Sequence, residues 1–223
     1  MDDRLDFCHC AFGLCAVVVG ILQWSAMRGQ LDEMRKQIEL TDRPWIEIVS
    51  ATATDGMSFY ATANGKAGIH MGIKLRVKNV GRAAAVDITL KSRLVLRTDS
   101  MQDTILRQQR LICLEPPQYS IGTFTLFPEM DSGTRLFRDY YQTIPEEAFL
   151  PTMHPEKWVS PVITGCISYK TTVSGTTHHT GFMYEFGTTT NRSTDTTLFR
   201  VDRNVPAAEL VMVEEPFGFS DAT

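Results

Sequence analysis

From Ile73 to Leu96 the chain reads IKLRVKNVGRAAAVDITLKSRLVL. Ile73, Leu75 and Val77 alternate with Lys74, Arg76 and Lys78. A period of two puts the apolar side chains on one face of a strand and the cations on the other, so this stretch needs a covering layer. Asn79-Val80-Gly81 interrupts the pattern, and because Asn and Gly tolerate positive φ a reversal is predicted there. The alternation resumes with Val86, Ile88 and Leu90 set against Asp87, Thr89 and Lys91. Two half-buried strands about a short connection predict an antiparallel pair. A lone pair is marginal in water, so further strands must lie across its apolar face.

The flanking sequence supplies them. Trp45–Val49 reads as a first strand and Ser58–Tyr60 as a short one. The period changes over Asp99–Cys113, where Met101, Ile105, Leu106 and Ile112 share a helical face. A helix is predicted there, crossing one end of a sandwich and stopped by Pro116-Pro117. Tyr119–Phe127 is β-branched and aromatic, which suits a strand. Gly133–Ser160, bounded by Pro161 and holding Pro145, Pro151 and Pro155, reads as an ordered loop. It has one helical turn at Pro145–Leu150, and Phe137, Tyr140, Tyr141, Phe149 and Trp158 are its expected anchors.

Val162–Phe186 is the clearest hairpin. A two-residue turn at Ser174-Gly175 opposes Tyr169 to Thr180 and Ile167 to Phe182, with Ile163, Ile167, Tyr169, Phe182, Tyr184 and Phe186 on one face. A slip of one residue would replace that face with Ser168, Lys170, His179 and Glu185. Thr197–Asp202 adds a strand, Pro206–Glu214 closes the domain, and residues 218–223 are expected to fray. The expected fold is mainly β: an immunoglobulin-like antiparallel β-sandwich over residues 44–217, with one or two short extra helices.

Ahead of the domain, Phe7–Trp24 holds no Asp, Glu, Lys or Arg. Eighteen helical residues rise about 27 Å, near the thickness of a bilayer's hydrocarbon core, so residues 7–24 are predicted to cross a membrane. The acid-rich MDDRL start and the lack of an A-x-A site argue against a cleaved signal peptide. Residues 25–43 follow as a juxtamembrane amphipathic helix. Trp24, Met27, Leu31, Met34, Ile38 and Thr41 form a seam that would suit a parallel homodimer. The seam spans only two heptads, so a single helix lying on its own domain or on the bilayer surface is the simpler reading. Arg28, Arg35, Lys36 and Arg43 outnumber the cations before the span, and this favours a cytoplasmic C-terminal domain.

A net charge of −4 and a pI near 5.7 give no basis for nucleic-acid binding. Of five cysteines only Cys113 and Cys166 fall in the domain, and two buried free thiols are favoured over a bond between them. Cys8-His9-Cys10 cannot converge on one ion from a helix. His178 and His179, adjacent in a strand, point to opposite faces. Asn191-Arg-Ser193 is a glycosylation sequon only in a secretory lumen, and Glu146-Glu147 is a solvated pair. There is no GxSxG, Walker loop, GxGxxG after a strand, or HExxH. No catalytic, cofactor-binding or metal-binding residue is therefore assigned. A hydrolase or metal enzyme would need His154, His178 and Glu185 to meet.

The order of a span, a charged helix ending in TDRPWIEI, then LRVKNVGRAAAVDITL and GCISYKTTVSGTTHHTGFMYEF resembles a loose group of uncharacterised proteobacterial single-pass membrane proteins. The LRVKNVGRAAAVDITL piece is also similar to strand-turn-strand units of bacterial immunoglobulin-like adhesion domains. The resemblance implies a bacterial inner-membrane protein and carries over no catalytic residue. The expected function is a membrane-anchored, non-enzymatic binding or scaffolding module that contacts lipid through residues 7–24 and a protein partner through its domain. An envelope-stress or defence-associated sensor is the alternative.

Overall fold

The alternation that opens the chain's central stretch builds a strand as expected, but its two halves part company. In the computed structural model the described residues are 3–97, 102–116, 124–133, 136–149, 157–172, 175–189 and 198–214, with the backbone alone for 3–18 and 39–40. The chain divides into two units, residues 1–43 and 44–223.

The first unit contains one helix, α1, Asp3–Thr41. Its 39 residues run on through both predicted segments without a break. Trp24, Met27, Leu31, Met34 and Ile38 are all exposed, and the Arg28 guanidinium lies 3.6 Å from the centre of the Trp24 ring. Pro44 prevents continuation, since the residue before a proline is driven out of the α region. Among the described residues no helix is long and apolar enough to cross a membrane; the side chains of 7–18, most of the predicted span, lie outside those residues.

The second unit is mainly β, and all its named strand pairings are antiparallel. Its strands are β1 (Ile46–Ala61), β2 (Ala67–Asn79), β3 (Ala85–Arg97), β4 (Phe124–Leu126), β5 (Leu136–Thr143), β6 (Trp158–Thr171), β7 (Thr177–Thr188), β8 (Phe199–Arg200) and β9 (Leu210–Glu214). One sheet has the order β1-β2-β5; the other has the order β4-β3-β6-β7-β9, with β8 on β6. The sheets curl into a half-barrel. Between them lie Ile69, Met71, Ile73, Leu75 and Val77 of β2, Ile88, Leu94 and Leu96 of β3, and Ile163, Ile167, Phe182, Tyr184 and Phe186 of β6 and β7.

The predicted pairing across Asn79-Val80-Gly81 is corrected here. β2 pairs with β1 and β5, whereas β3 pairs with β4 and β6, so the connection carries the chain from one sheet to the other. The two alternations had implied a hairpin, yet they are two apolar faces that meet across the core. The turn does not use positive φ at Asn79 or Gly81. It is held by the fully buried Asn79 side chain, whose amide donates to Ala83 O (2.7 Å) and Leu126 O (3.0 Å) while its carbonyl accepts from Trp45 N and Gly81 N. A β-bulge at Asp87, with φ of 54°, shifts the phase of β3, so Val86 is only half-buried while Ala85 and Ile88 both point inward.

Three further expectations change. The Gly133–Ser160 loop contains β5, whose Phe137 and Tyr141 are 60% and 71% exposed while Tyr140 is buried. β6 starts at Trp158 and runs through Pro161. The helix α2, Gln102–Leu114, lies on the outer face of the larger sheet and not across an end, with Ile105 packed on Val95, Val162 and Met183. Most of the Tyr119–Phe127 strand, the Asn191 sequon and residues 218–223 lie outside the described residues.

Candidate functional site

The predicted face of the β6–β7 hairpin is kept, but its register moves by two residues. Gly165 opposes Phe182, Ile167 opposes Thr180, Ser168 opposes His179 and Tyr169 opposes His178. A shift of two preserves which face each residue occupies, because side chains alternate with a period of two. The shift matters for chemistry: it sets His179 beside Ser168 and diagonal to Cys166 on the outer face. Ser168 Oγ lies 3.0 Å from His179 Nδ1. Cys166 faces Gly181, which contributes no side chain.

The α2 helix brings the remaining group. Ile105 and Ile112 bury against the sheet, and the buried Gln109 amide donates to Phe182 O at 3.0 Å. This fixes the helix so that its last turn places Cys113 over Cys166. The two cysteines are joined as a disulfide, with Cα atoms 5.3 Å apart; the expectation of two free thiols is corrected. Sequence periodicity placed each cysteine on its element, but only the docking of α2 on the sheet face brings the two together.

Around the bond the charges are ordered. Lys91 on β3 donates to Cys113 O (3.2 Å) and Glu115 O, so a cation sits where the helix's carbonyls are unpaired. Burial pushes the Lys91 ammonium below its ordinary range, with Glu115 opposing. Arg93 pairs with Glu115 at 2.5 Å. Burial, then the Lys91 and His178 charges, hold the His179 imidazole below its ordinary value, which leaves it neutral near pH 7. The sulfurs of Cys113 and Cys166 and a ring nitrogen of His179 all lie within 4.8 Å of one another. Lys91 and Ser168 had no signal in the sequence beyond their place on the outward face.

Of the three residues of the enzyme alternative, the two described ones lie apart. His178 is buried on the inner face, 5.8 Å from the Tyr169 ring centre. Glu185 is seven residues along the same strand on the opposite face, about 23 Å away by strand rise, and is engaged by Arg97. His154 lies outside the described residues.

A second feature is the outer face of the smaller sheet. His70 of β2 stacks on Tyr141 with ring centres 4.2 Å apart, and Tyr60 lies flat over Gly68, where a Cβ would come within 2.5 Å of its ring. The cationic stripe is partly neutralised: Arg76 pairs with Asp131 at 2.9 Å and Lys78 with Glu129. β5 ends this sheet, and a cleft of about 410 Å³ opens between it and β3, lined by Arg93, Leu94, Arg138, Asp139 and Tyr141. Ser92 and Tyr140 close its inner end with a hydroxyl–hydroxyl hydrogen bond of 2.6 Å. No protein-family model, characterised protein or solved structure matches the chain.

Proposed function

We propose that the chain is a membrane-anchored, non-enzymatic binding or scaffolding module, with residues 7–24 in the bilayer and an immunoglobulin-like domain beyond them. The reading rests on the terminal strand β5, which carries exposed Phe137 and Tyr141 beside an open cleft. Such an edge suits an extended protein segment that adds a strand and seats alternate side chains on the aromatic groups. The uncharged run at residues 7–24 supports the tether. The exposed Trp24–Ile38 seam supports a homodimer through the juxtamembrane helix. The likeness to proteobacterial single-pass proteins agrees with an inner-membrane site.

Crosslinking in native membranes, with the probe at Phe137, is expected to recover one partner at high occupancy. Tyr141→Ala should abolish that crosslink while leaving the protein's membrane fractionation intact. Equal crosslinking by wild type and Tyr141→Ala would remove the β5 reading, and release of the wild type by alkaline carbonate would remove the tether.

The sensor reading, with the domain outside the cytoplasm, is favoured by one observation: a disulfide persists in oxidising compartments. The flanking cations favour the opposite side. An impermeant reporter at the C-terminal Thr223 in intact cells decides between them, since labelling without lysis excludes the cytoplasmic orientation.

A further inference from the structure

The Cys113–Cys166 bond lies under a histidine that its structural role does not need. A disulfide that only pins α2 to the sheet requires two sulfurs and suitable backbone geometry. Here a ring nitrogen of His179 lies within 4.8 Å of both sulfurs. Cys166 is fully buried on the central strand β6, Cys113 is half-buried and Gly181 leaves the facing position without a side chain. The three residues come from three elements, α2, β6 and β7, each held by its own packing.

We propose that Cys113, Cys166 and His179 form a redox-gated metal site that takes a borderline-soft divalent cation such as zinc when the disulfide is reduced. The inference goes beyond the binding-module reading and does not depend on it. A dithiol reductant opens the bond by exchange: its thiolate attacks one sulfur, forming a mixed disulfide and freeing the other protein thiol, and its second thiol then attacks the mixed disulfide, freeing the first protein thiol as the reductant closes to its own disulfide. Two electrons and two protons pass to the protein. Zinc then displaces the two thiol protons and binds two thiolates and one neutral imidazole, with solvent as the fourth ligand.

Geometry supports the step. Once unbonded, two sulfurs must separate to van der Waals contact, and tetrahedral zinc holds thiolates about 3.8 Å apart and a thiolate and imidazole nitrogen about 3.6 Å apart. From a set already within 4.8 Å, His179 has to move by about 1 Å, which a side-chain rotation supplies. The Ser168 hydroxyl lies 3.0 Å from Nδ1, so with Nε2 as the ligand nitrogen it would serve as the outer partner that orients a metal-bound histidine. The oxidised domain is thus locked by a covalent bond, and the reduced domain is locked by an ion in the same place.

The test uses the full chain in mild detergent without oxygen. The protein is reduced with dithiothreitol, desalted, and titrated with zinc against a chromophoric chelator; cobalt is added in parallel to read the thiolate-to-metal charge-transfer band. The expected result is one zinc per reduced chain, none per oxidised chain, and affinity at least about tenfold weaker in His179→Ala. Near-ultraviolet circular dichroism of oxidised His179→Ala, matching that of wild type, shows that the variant folds. If reduction unfolds the domain, zinc should restore the tertiary signal in wild type but not in His179→Ala. No stoichiometric uptake with no restored signal would overturn the proposal, and so would equal affinity of wild type and variant.

Discussion

The two sheets of the domain share a core and differ in what lies on their backs. The larger sheet is covered: α2 seals Val95, Val162 and Met183, Gln109 hydrogen-bonds Phe182 O, and Cys113 is bonded to Cys166. The smaller sheet carries an exposed surface of Tyr60, Phe137 and Tyr141 and ion pairs such as Arg76–Asp131. A sheet covered on both faces gains stability and can hold reactive groups away from water. A sheet open on one face keeps its outer residues free for contact, because they contribute little to folding.

That difference can be broken experimentally, beginning where the effect is largest. Cys113 and Cys166 close a loop across a separation of 53 residues, and removing the bond by the double change to serine is expected to cost about 4 kcal/mol, read as a lower urea midpoint. Amide exchange should then report α2 opening before the strands. A loss below about 1 kcal/mol would mean that packing alone holds the helix. Asn79→Ala leaves Trp45 N, Gly81 N, Ala83 O and Leu126 O without their side-chain partner and should cost about 3 kcal/mol. Because Asn79 sits where the chain changes sheet, both sheets should melt together; separate transitions would show that they are independent.

The inner face of the smaller sheet is tested by alkali. Burial pushes the Tyr140 phenol up to about 12, against the hydrogen bond it shares with Ser92 and the nearby Arg138. With the folded value raised, the neutral form stabilises the native state fully below about pH 10, the unfolded value. This contribution is lost as pH rises toward 12, by roughly 2–3 kcal/mol. Chemical denaturation from pH 9 to 12 should show that loss, and Tyr140→Phe should lessen it without abolishing it, because burial also raises the Tyr184 phenol of the larger sheet. The smallest effect belongs to the open face. Arg76 and Asp131 are 47% and 35% exposed, so Arg76→Ala should change stability by less than about 1 kcal/mol. A larger loss would erase the contrast between the backs of the two sheets.

Much of the strand content was legible because burial follows alternation. Ile73, Leu75 and Val77 are fully buried, and the β6–β7 face holds Ile163, Ile167, Tyr169, Phe182, Tyr184 and Phe186. Partner choice was not legible, because an alternating strand records that something covers it and not which strand lies beside it. Hence β2 and β3 read as a pair when they belong to opposite sheets. The register of β6 on β7 missed by one pleat repeat, an error that leaves every face unchanged and so has no hydrophobic penalty to reveal it. The candidate site suffered most from this: His179 and Ser168 were placed on one face, but their contact and the arrival of Cys113 depend on the true register and on where α2 lands.

The sheet change at Asn79 has a consequence for how the chain is made. β1 and β2 can join as soon as they leave the ribosome, through the tight connection where Thr62 bonds Lys66 and Gly65 takes a φ of 71°. Their apolar side gains part of its cover from β3, but the rest comes only when β6 and β7 have emerged, about a hundred residues later. At roughly 5–20 residues per second, that hairpin waits on the order of 5–20 s with Ile69, Met71, Ile73 and Leu75 incompletely covered. Slowing translation after Asn79 should therefore raise the aggregation of the nascent chain.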